Sequence, residues 1–441
     1  MKVHKIYNLF SLIIFYRMPT KYIAQHWHFY QPRNNDFWAE RVNAECYKPN
    51  SENGILRNIS YNIGPTLIDW LEKNDSKTLE NMISADRGQV IGQTYNHRIM
   101  PLIRHDEDLK TQIIWGKRHF VKYFNREPKG IWLPETATDK RVCKELVNQG
   151  IKYTIGAWWQ GSSHDGRIID TKDAYNVDLG DGKRIIYFFF DPISSEIAFN
   201  SSANTSTRFL DNADVAIDRI LRDIGEDGFM LLAYDGETFG HHHKFADKWA
   251  AYFPNAIRKR QEAKMVTLDE YIESNPPQKC ADIIDNSSWS CLCGDLGRWS
   301  KGCSCAGGDR EYQEVLLSTL EAQEDRIHDI FVSECEKTLY DVWDARNDYI
   351  DIKLGLISED IFLKRHSKKR LSTELKKKII GLLEAEYLTQ LSFTSCGWFF
   401  PEVNIQTINN ISDAKLAALK IESSTGLNVS ENLKNLDWML N

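Results

Sequence analysis

The chain has 441 residues, 42% hydrophobic and 27% charged, an ordinary globular composition with room for one large domain and a smaller one. Its net charge is −7 and it has no long basic run, which argues against nucleic acid as the main partner. Nine cysteines, an odd count with five of them scattered, point to reduced thiols in a cytoplasmic setting rather than a secreted disulfide framework.

The apolar run at 6–16 is too short to span a bilayer and lacks a small-residue cleavage site. A signal peptide is therefore the lesser reading. Translation is expected to begin at Met18, which makes 1–20 an N-terminal extension. No other segment reads as transmembrane, so no membrane partner is expected. Seven short apolar runs then follow, most ending in polar or aromatic residues: "KYIAQHWHFYQP" (21–32), "GQVIGQTYNH" (88–97), "KGIWLPE" (129–135), "IKYTIGAWWQ" (151–160), "KRIIYFFFD" (183–191), "FMLLAYD" (229–235) and "AKMVTLDEYI" (263–272). Each is continuous rather than alternating, as in strands buried on both faces of a parallel sheet. Helical patterns lie between them at 64–74, 110–124, 140–150 and 212–225, with Gly150 and Gly225 at helix stops. Strand alternating with helix predicts an α/β fold, a (β/α)7 barrel over 21–275, with its chemistry at the carboxyl ends of the strands. Pro276 and Pro277 mark a boundary. Residues 276–310 read as a Cys/Trp/Gly-rich loop over the barrel mouth, and 311–441 as a helical domain contributing to the site, with helices at 311–339, 371–392 and 412–423. No internal repeat stands out.

Two acids close barrel strands, Glu135 after "IWLP" and Asp235 after "LLAY". Retaining glycoside hydrolysis needs such a pair, one carboxylate as nucleophile and one carboxyl as acid/base, about 5–5.5 Å apart. From spacing alone, helix capping or an arginine partner is the better explanation, because most acids near strand ends do no chemistry. The 13 Trp, 18 Tyr and 20 Phe suit either sugar-stacking faces or an aromatic core. Trp132, Trp158, Trp159, Trp289 and Trp398 are the candidate sugar platforms. Gly397 beside Trp398 argues for a site-lining segment, because a helical core has no need of it. Core packing weighs equally for Trp158 and Trp159. Asp191 either binds a hydroxyl or caps a helix. His26 and His119 read as structural. Of the adjacent His241, His242 and His243, at most two could bind one metal, so no metal site is assigned there. Cys291, Cys293, Cys303 and Cys305 could form a zinc knot, but zinc sites usually use Cys-x2-Cys and this chain has Cys-x-Cys. The expectation is a packed loop with Trp289 and Trp299 as walls and no cofactor.

Four segments in order, "HWHFYQP", "GQTYNHRIMPL", "WLPET" and "YDGETFGHHH", resemble the successive motifs of glycoside hydrolase family 57. That family comprises amylase-like hydrolases, 4-α-glucanotransferases and glucan branching enzymes. The segments "AWWQG", "DPISSEIAF", "WSC" and "TSCGWFF" resemble a branch labelled α-amylase or α-mannosidase relatives. The resemblance implies a retaining hydrolase or transglycosylase of α-linked glucans or oligosaccharides, with Glu135 as nucleophile and Asp235 as acid/base. It further implies substrate contacts from His28, Gln31, His97, Trp132, Glu237 and His241, beside the platforms named above. Tyr30 stands where the family has a second histidine, Asn96 replaces Thr, Arg98 replaces Gly and Gln89 replaces Glu, which bears on substrate choice. The rivals are a metal-dependent carbohydrate deacetylase or zinc α-mannosidase on a similar barrel, and a non-catalytic carbohydrate-binding protein.

Overall fold

The computed structural model describes residues 21–163, 166, 167, 169–199, 208–306 and 311–440. The expected start at Met18, with the rest of 1–20, lies outside the described residues. Eleven strands occur among them: β1 Lys21–Phe29, β2 Ser60–Ile63, β3 Gly92–Gln93, β4 Gly130–Trp132, β5 Tyr153–Ala157, β6 Gly161–Ser162, β7 Ala174–Asp178, β8 Arg184–Phe190, β9 Gly228–Asp235, β10 Lys264–Met265 and β11 Lys279–Ile283. Parallel ladders join β9 to β1, β1 to β2, β3 to β4, β4 to β5 and β5 to β8. Two seams lack a regular ladder. At one, the Ile91 amide donates to the Tyr61 carbonyl (2.9 Å), carrying β2 to β3; at the other, the Asp191 amide donates to Leu231 (2.9 Å), carrying β8 to β9. Seven parallel strands thus follow one another in a ring.

Side-chain alternation along these strands explains why their apolar runs are continuous. Trp27 and Phe29 of β1 and Met230, Leu232 and Tyr234 of β9 pack outward with the helices. Ile131 of β4 and Tyr187 and Phe189 of β8 join a second outer core. The alternate residues, Ala24, Trp132, Ile155, Phe188, Phe190, Phe229, Leu231 and Ala233, share one inner cluster. Both faces are therefore buried, as expected of parallel strands flanked by helices. Along the inner face of β1 the residues pass from Ala24 to His26 and His28, and along β9 from Ala233 to Asp235. The interior turns from apolar to polar toward the carboxyl ends of the strands.

The ring differs from the sequence expectation in one member. Its seventh strand is β2, while "AKMVTLDEYI" supplies only β10, two residues paired with the start of β1, and then the helix Leu268–Ser274. The sequence of β2, "SYNI", carries two polar residues that face other polar groups rather than an apolar layer. The sheet also extends beyond the ring. Antiparallel β7 pairs with β8, and β11 pairs with β7 and β6, so 279–283 is strand rather than loop.

The helices Glu311–Cys335, Thr373–Leu391 and Ile405–Thr425 build a separate apolar core. No helix among the described residues is long and apolar enough to cross a membrane. A buried ionic cluster ties this part to the ring. Arg98 donates to Glu324 Oε1 (2.7 Å), Oε2 (3.2 Å) and Gln390 Oε1 (3.0 Å), and its guanidinium lies 3.8 Å from the Phe393 ring centroid. Arg346 bridges Asp108 (2.5 Å) and Glu386 (3.0 Å), and His328 joins the same two carboxylates at 3.0 and 2.9 Å. Burial opposes the His328 charge, but Glu386 and Asp108 overcome it and hold its pKa at about 10. Arg98 therefore has a structural partner, Glu324, on the helical part.

Candidate active site

Glu135 sits in the turn Pro134–Thr136 directly after β4, at φ 56°, and Thr136 follows at φ 49°. Two consecutive non-glycine residues in the left-handed region cost on the order of 1–3 kcal/mol each, so the surroundings must hold them. The buried Thr136 hydroxyl donates to Gln160 Oε1 (2.7 Å) and accepts from the Trp289 amide (2.9 Å). The Glu135 carbonyl accepts from the Ser288 hydroxyl (2.8 Å) and the Trp289 amide (3.2 Å). The same segment then reaches the carboxylate: Trp289 Nε1 (3.0 Å) and the Ser290 hydroxyl (2.6 Å) both donate to Glu135 Oε2. Burial raises the Glu135 pKa, while these two donors and the Arg298 charge pull it back.

Asp235 ends β9, in register with His28 on β1. The His28 ring stacks on Trp132 (5.1 Å between centroids), just upstream of Glu135 on β4. Asp235 keeps solvent-accessible area, so a ligand can reach it. Yet protein crowded around its carboxyl pushes its pKa well above the usual range, and the charges of Glu237 and Glu135 add to the rise. Among the described residues no hydrogen-bond donor offsets this. Both acids are raised at the same end of the ring, but only Glu135 has hydrogen-bond donors that offset the rise. Glu135 is supplied with donors that favour its anion, and Asp235 with neighbours that favour its protonated form.

Aromatic and histidine rings pack at the same end of the ring as the two acids. Trp289 meets Trp132 edge-on at 5.0 Å, and Tyr30 stacks on His97 at 3.8 Å. His28 is fixed by Asn62 Nδ2 at 3.0 Å, and His26 by Ser60 and Asn62, each at 3.0 Å. Burial lowers His28 to about 4 and His26 to about 3, so both rings are neutral near pH 7. His97 Nδ1 contacts the Ser395 hydroxyl (2.7 Å), which brings the helical part to the rim. Trp132 Nε1, His97 Nε2 and Gln31 Oε1 are buried without a hydrogen-bond partner among the described residues.

Glu237 accepts from Tyr47 OH (3.0 Å) and from Gln31 Nε2, and burial lifts its pKa to about 7. His241 Nδ1 lies 2.5 Å from Glu45 Oε2, and the exposed Trp38 meets its ring edge-on at 4.9 Å. Donor atoms of Glu237, His241 and His242 lie within 4.8 Å of one another, as do the four sulfurs of Cys291, Cys293, Cys303 and Cys305.

Three expected contacts fare differently. Asp191 accepts from the Thr171 hydroxyl (2.6 Å) and the Ile193 amide (3.0 Å), just before the helix Ile193–Ala198. Trp398 turns into the helical core, 2% exposed, with Nε1 donating to the Gln313 carbonyl (3.2 Å). The argument from Gly397 fails for a packing reason: a Cβ there would collide with the Asn410 amide, so a tight helical core does need this glycine. Trp299 is likewise buried in that core, whereas the half-buried Trp289 packs against Trp132 and His28 and donates to Glu135. Trp158 is half-buried and meets only Trp159 among the rings. Ser290, Tyr47, Asn62 and Gln160 escaped the sequence reading. Ser290 and Gln160 carried a signal, their places in "WSC" and "AWWQG".

Residues 7–284, more than half the chain, match the family described as Glycosyl hydrolase family 57, and 311–436 match a Domain of unknown function, DUF3536. Alpha-amylase 1 of Dictyoglomus thermophilum is 32% identical over 136 residues, 29% of this chain and 20% of that protein. An alpha-amylase of Pyrococcus horikoshii is 22% identical over 280 residues, 60% of this chain and 42% of that protein. The chain thus spans less than half the length of these curated relatives. Among solved structures, an exo-type maltose-forming amylase from Pyrococcus sp. ST04 superposes with a TM-score of 0.73 at 15% identity, covering 96% of this chain and 82% of that one. At that identity the likeness is one of fold. With the family matched over most of the ring, the chain belongs to glycosyl hydrolase family 57.

Proposed function

We propose that this chain is a retaining glycoside hydrolase or transglycosylase acting on α-linked glucans or oligosaccharides by double displacement. The observation that carries the reading is the contrast between the two acids: Glu135 Oε2 receives Trp289 Nε1 and Ser290 Oγ, while Asp235 has no such donor among the described residues and has the charges of Glu237 and Glu135 beside it. Glu135 attacks the anomeric carbon as the glycosidic C–O bond breaks, and the Asp235 proton passes to the departing oxygen. Water or a sugar hydroxyl then gives its proton to Asp235 and attacks the same carbon, releasing Glu135. Both carboxyls are raised, but only Glu135 has donors that pull it back, so Asp235 holds its proton more firmly than Glu135 does. The polar atoms of Trp132, His97 and Gln31 that lack a partner among the described residues suit a polyhydroxylated ligand.

The relatives named above are amylases, which supports an α-glucan substrate here. Residues 21–275 would form the catalytic barrel, 276–310 a cover over its mouth, and the helical part from 311 would complete the rim through Ser395. Nine free cysteines fit residence in a reducing cytoplasm. Incubation with malto-oligosaccharides, glycogen and a mannoside panel, followed by chromatography of the products, tests the reading. Turnover of α-glucans that is lost in Glu135→Ala and in Asp235→Ala is expected. Undiminished turnover in either variant would defeat the mechanism.

A further inference from the structure

Four cysteines that the proposed reaction does not use lie directly after the segment that holds Glu135. Cys291 Sγ is 3.9 Å from Cys303 Sγ, and Cys293 Sγ is 3.0 Å from Cys305 Sγ, with all four within 4.8 Å of one another. Both separations exceed the ~2.05 Å of a disulfide bond. A tetrahedral zinc ion with Zn–S bonds of about 2.3 Å sets its sulfurs roughly 3.8 Å apart. One pair already stands at that spacing, and the other needs to open by less than about 1 Å.

The fold supplies what the short Cys-x-Cys spacing lacks. Gly294 (φ 74°), Leu296 (φ 55°) and Gly302 (φ 83°) all take left-handed conformations, which reverse the chain between the two pairs. Leu296 adopts that conformation as a fully buried non-glycine residue, so the helical core holds the turn in place. Gly297 backs onto Cys303, whose Cβ would lie 3.1 Å from any Cβ added there. Cys291 is buried in that core, while Cys293 and Cys305 face solvent, which leaves a way in for an ion. Lys301, paired with Asp295 at 2.9 Å, sets a cation near Cys293, where tetrathiolate charge would need balancing.

We propose that Cys291, Cys293, Cys303 and Cys305 form a tetrathiolate zinc site that fixes Ser288, Trp289 and Ser290 against Glu135. Binding one Zn2+ releases four thiol protons and leaves a site of net charge −2, with no change of oxidation state. The knot is a positioning device, since it touches neither substrate nor reacting atoms. The zinc site stands on the sulfur geometry alone; its effect on turnover rests on the reading of Glu135 as nucleophile.

The full chain, purified under reducing conditions, is expected to carry one zinc by elemental mass spectrometry. Cobalt(II) exchanged into it should show the intense sulfur-to-metal charge-transfer and ligand-field bands of a tetrahedral thiolate site. Cys293→Ser/Cys305→Ser should lose the equivalent, and Cys280→Ser, altered at an exposed cysteine elsewhere, should keep it. If the double variant does not fold, titration of the native chain with an organomercurial should release one zinc as four thiols react. A chain with four alkylatable thiols that takes up neither metal would overturn the site, as would two disulfides by mass or zinc retained in the double variant. Where the double variant folds, its acid limb of activity should move upward in pH, in the same sense as that of Ser290→Ala. An unmoved limb would overturn the link to Glu135 while leaving the metal site standing. Turnover unaffected by Glu135→Ala would remove the functional reading and leave the zinc stoichiometry untouched.

Discussion

Replacing Ser290 by alanine removes one of the two donors to Glu135 Oε2, the 2.6 Å contact, and leaves Trp289 Nε1 at 3.0 Å. A hydrogen bond to a charged group contributes about 1.5–3 kcal/mol. One pKa unit corresponds to about 1.4 kcal/mol, so the Glu135 pKa, already raised by burial, should climb by roughly one to two further units. The acid limb of kcat/KM reports ionisation in the free enzyme and should move to higher pH by that amount. Below the limb this is a loss of about ten- to a hundredfold, and on the plateau the loss should be smaller. The assay is kcat/KM against pH on a malto-oligosaccharide for the native chain, Ser290→Ala and Trp289→Phe, with near-UV circular dichroism to confirm folding. Superimposable acid limbs in all three proteins would refute the claim that these donors hold Glu135 as the anion.

Two further expectations concern the frame around the site. Glu324→Ala leaves the Arg98 guanidinium buried without its bidentate partner and should cost about 3–5 kcal/mol in denaturant unfolding, whereas Arg98→Met/Glu324→Leu should recover at least half of that. Equal losses in the two variants would show that the pair is not coupled. Stability should also fall on both sides of a window around pH 6.5. The pKa of His328, raised from 6.5 to about 10, adds stability that is complete below pH 6.5 and lost as pH rises to 10. His26 and His28, lowered from 6.5 to about 3 and 4, add stability that is present above pH 6.5 and lost as pH falls through their folded values. His26→Asn should flatten the acid side and His328→Asn the alkaline side of a plot of denaturation midpoint against pH, and unchanged slopes would count against these assignments.

Most of the ring was legible because its strands are buried on both faces, which makes "FMLLAYD" and "KRIIYFFFD" apolar throughout. β2 was not, because Ser60 and Asn62 serve the histidines of β1 and leave no apolar signature. The two acids stood at strand ends, but only the resemblance to the family motifs set them apart from capping residues. The groups that differentiate them were not legible: Ser290 meets Glu135 from across the fold, and Tyr47 and Gln31 converge on Glu237 from separate turns. Hydrogen bonds of this kind follow no spacing rule. Gly397 misled because a glycine serving close helix packing looks, in sequence, like one that breaks a helix. Arg98 read as a departure from a motif, and only its contact with Glu324 gave it a purpose.

The assignment of roles to Glu135 and Asp235 is tested most directly by trapping. Asp235→Asn, given an α-maltosyl fluoride whose leaving group needs no proton, should form the glycosyl-enzyme and release it slowly. Peptide mass spectrometry of the quenched protein should find one glycosyl unit on the peptide containing Glu135. No adduct under conditions where the fluoride is consumed, or an adduct on any other residue, would contradict the account.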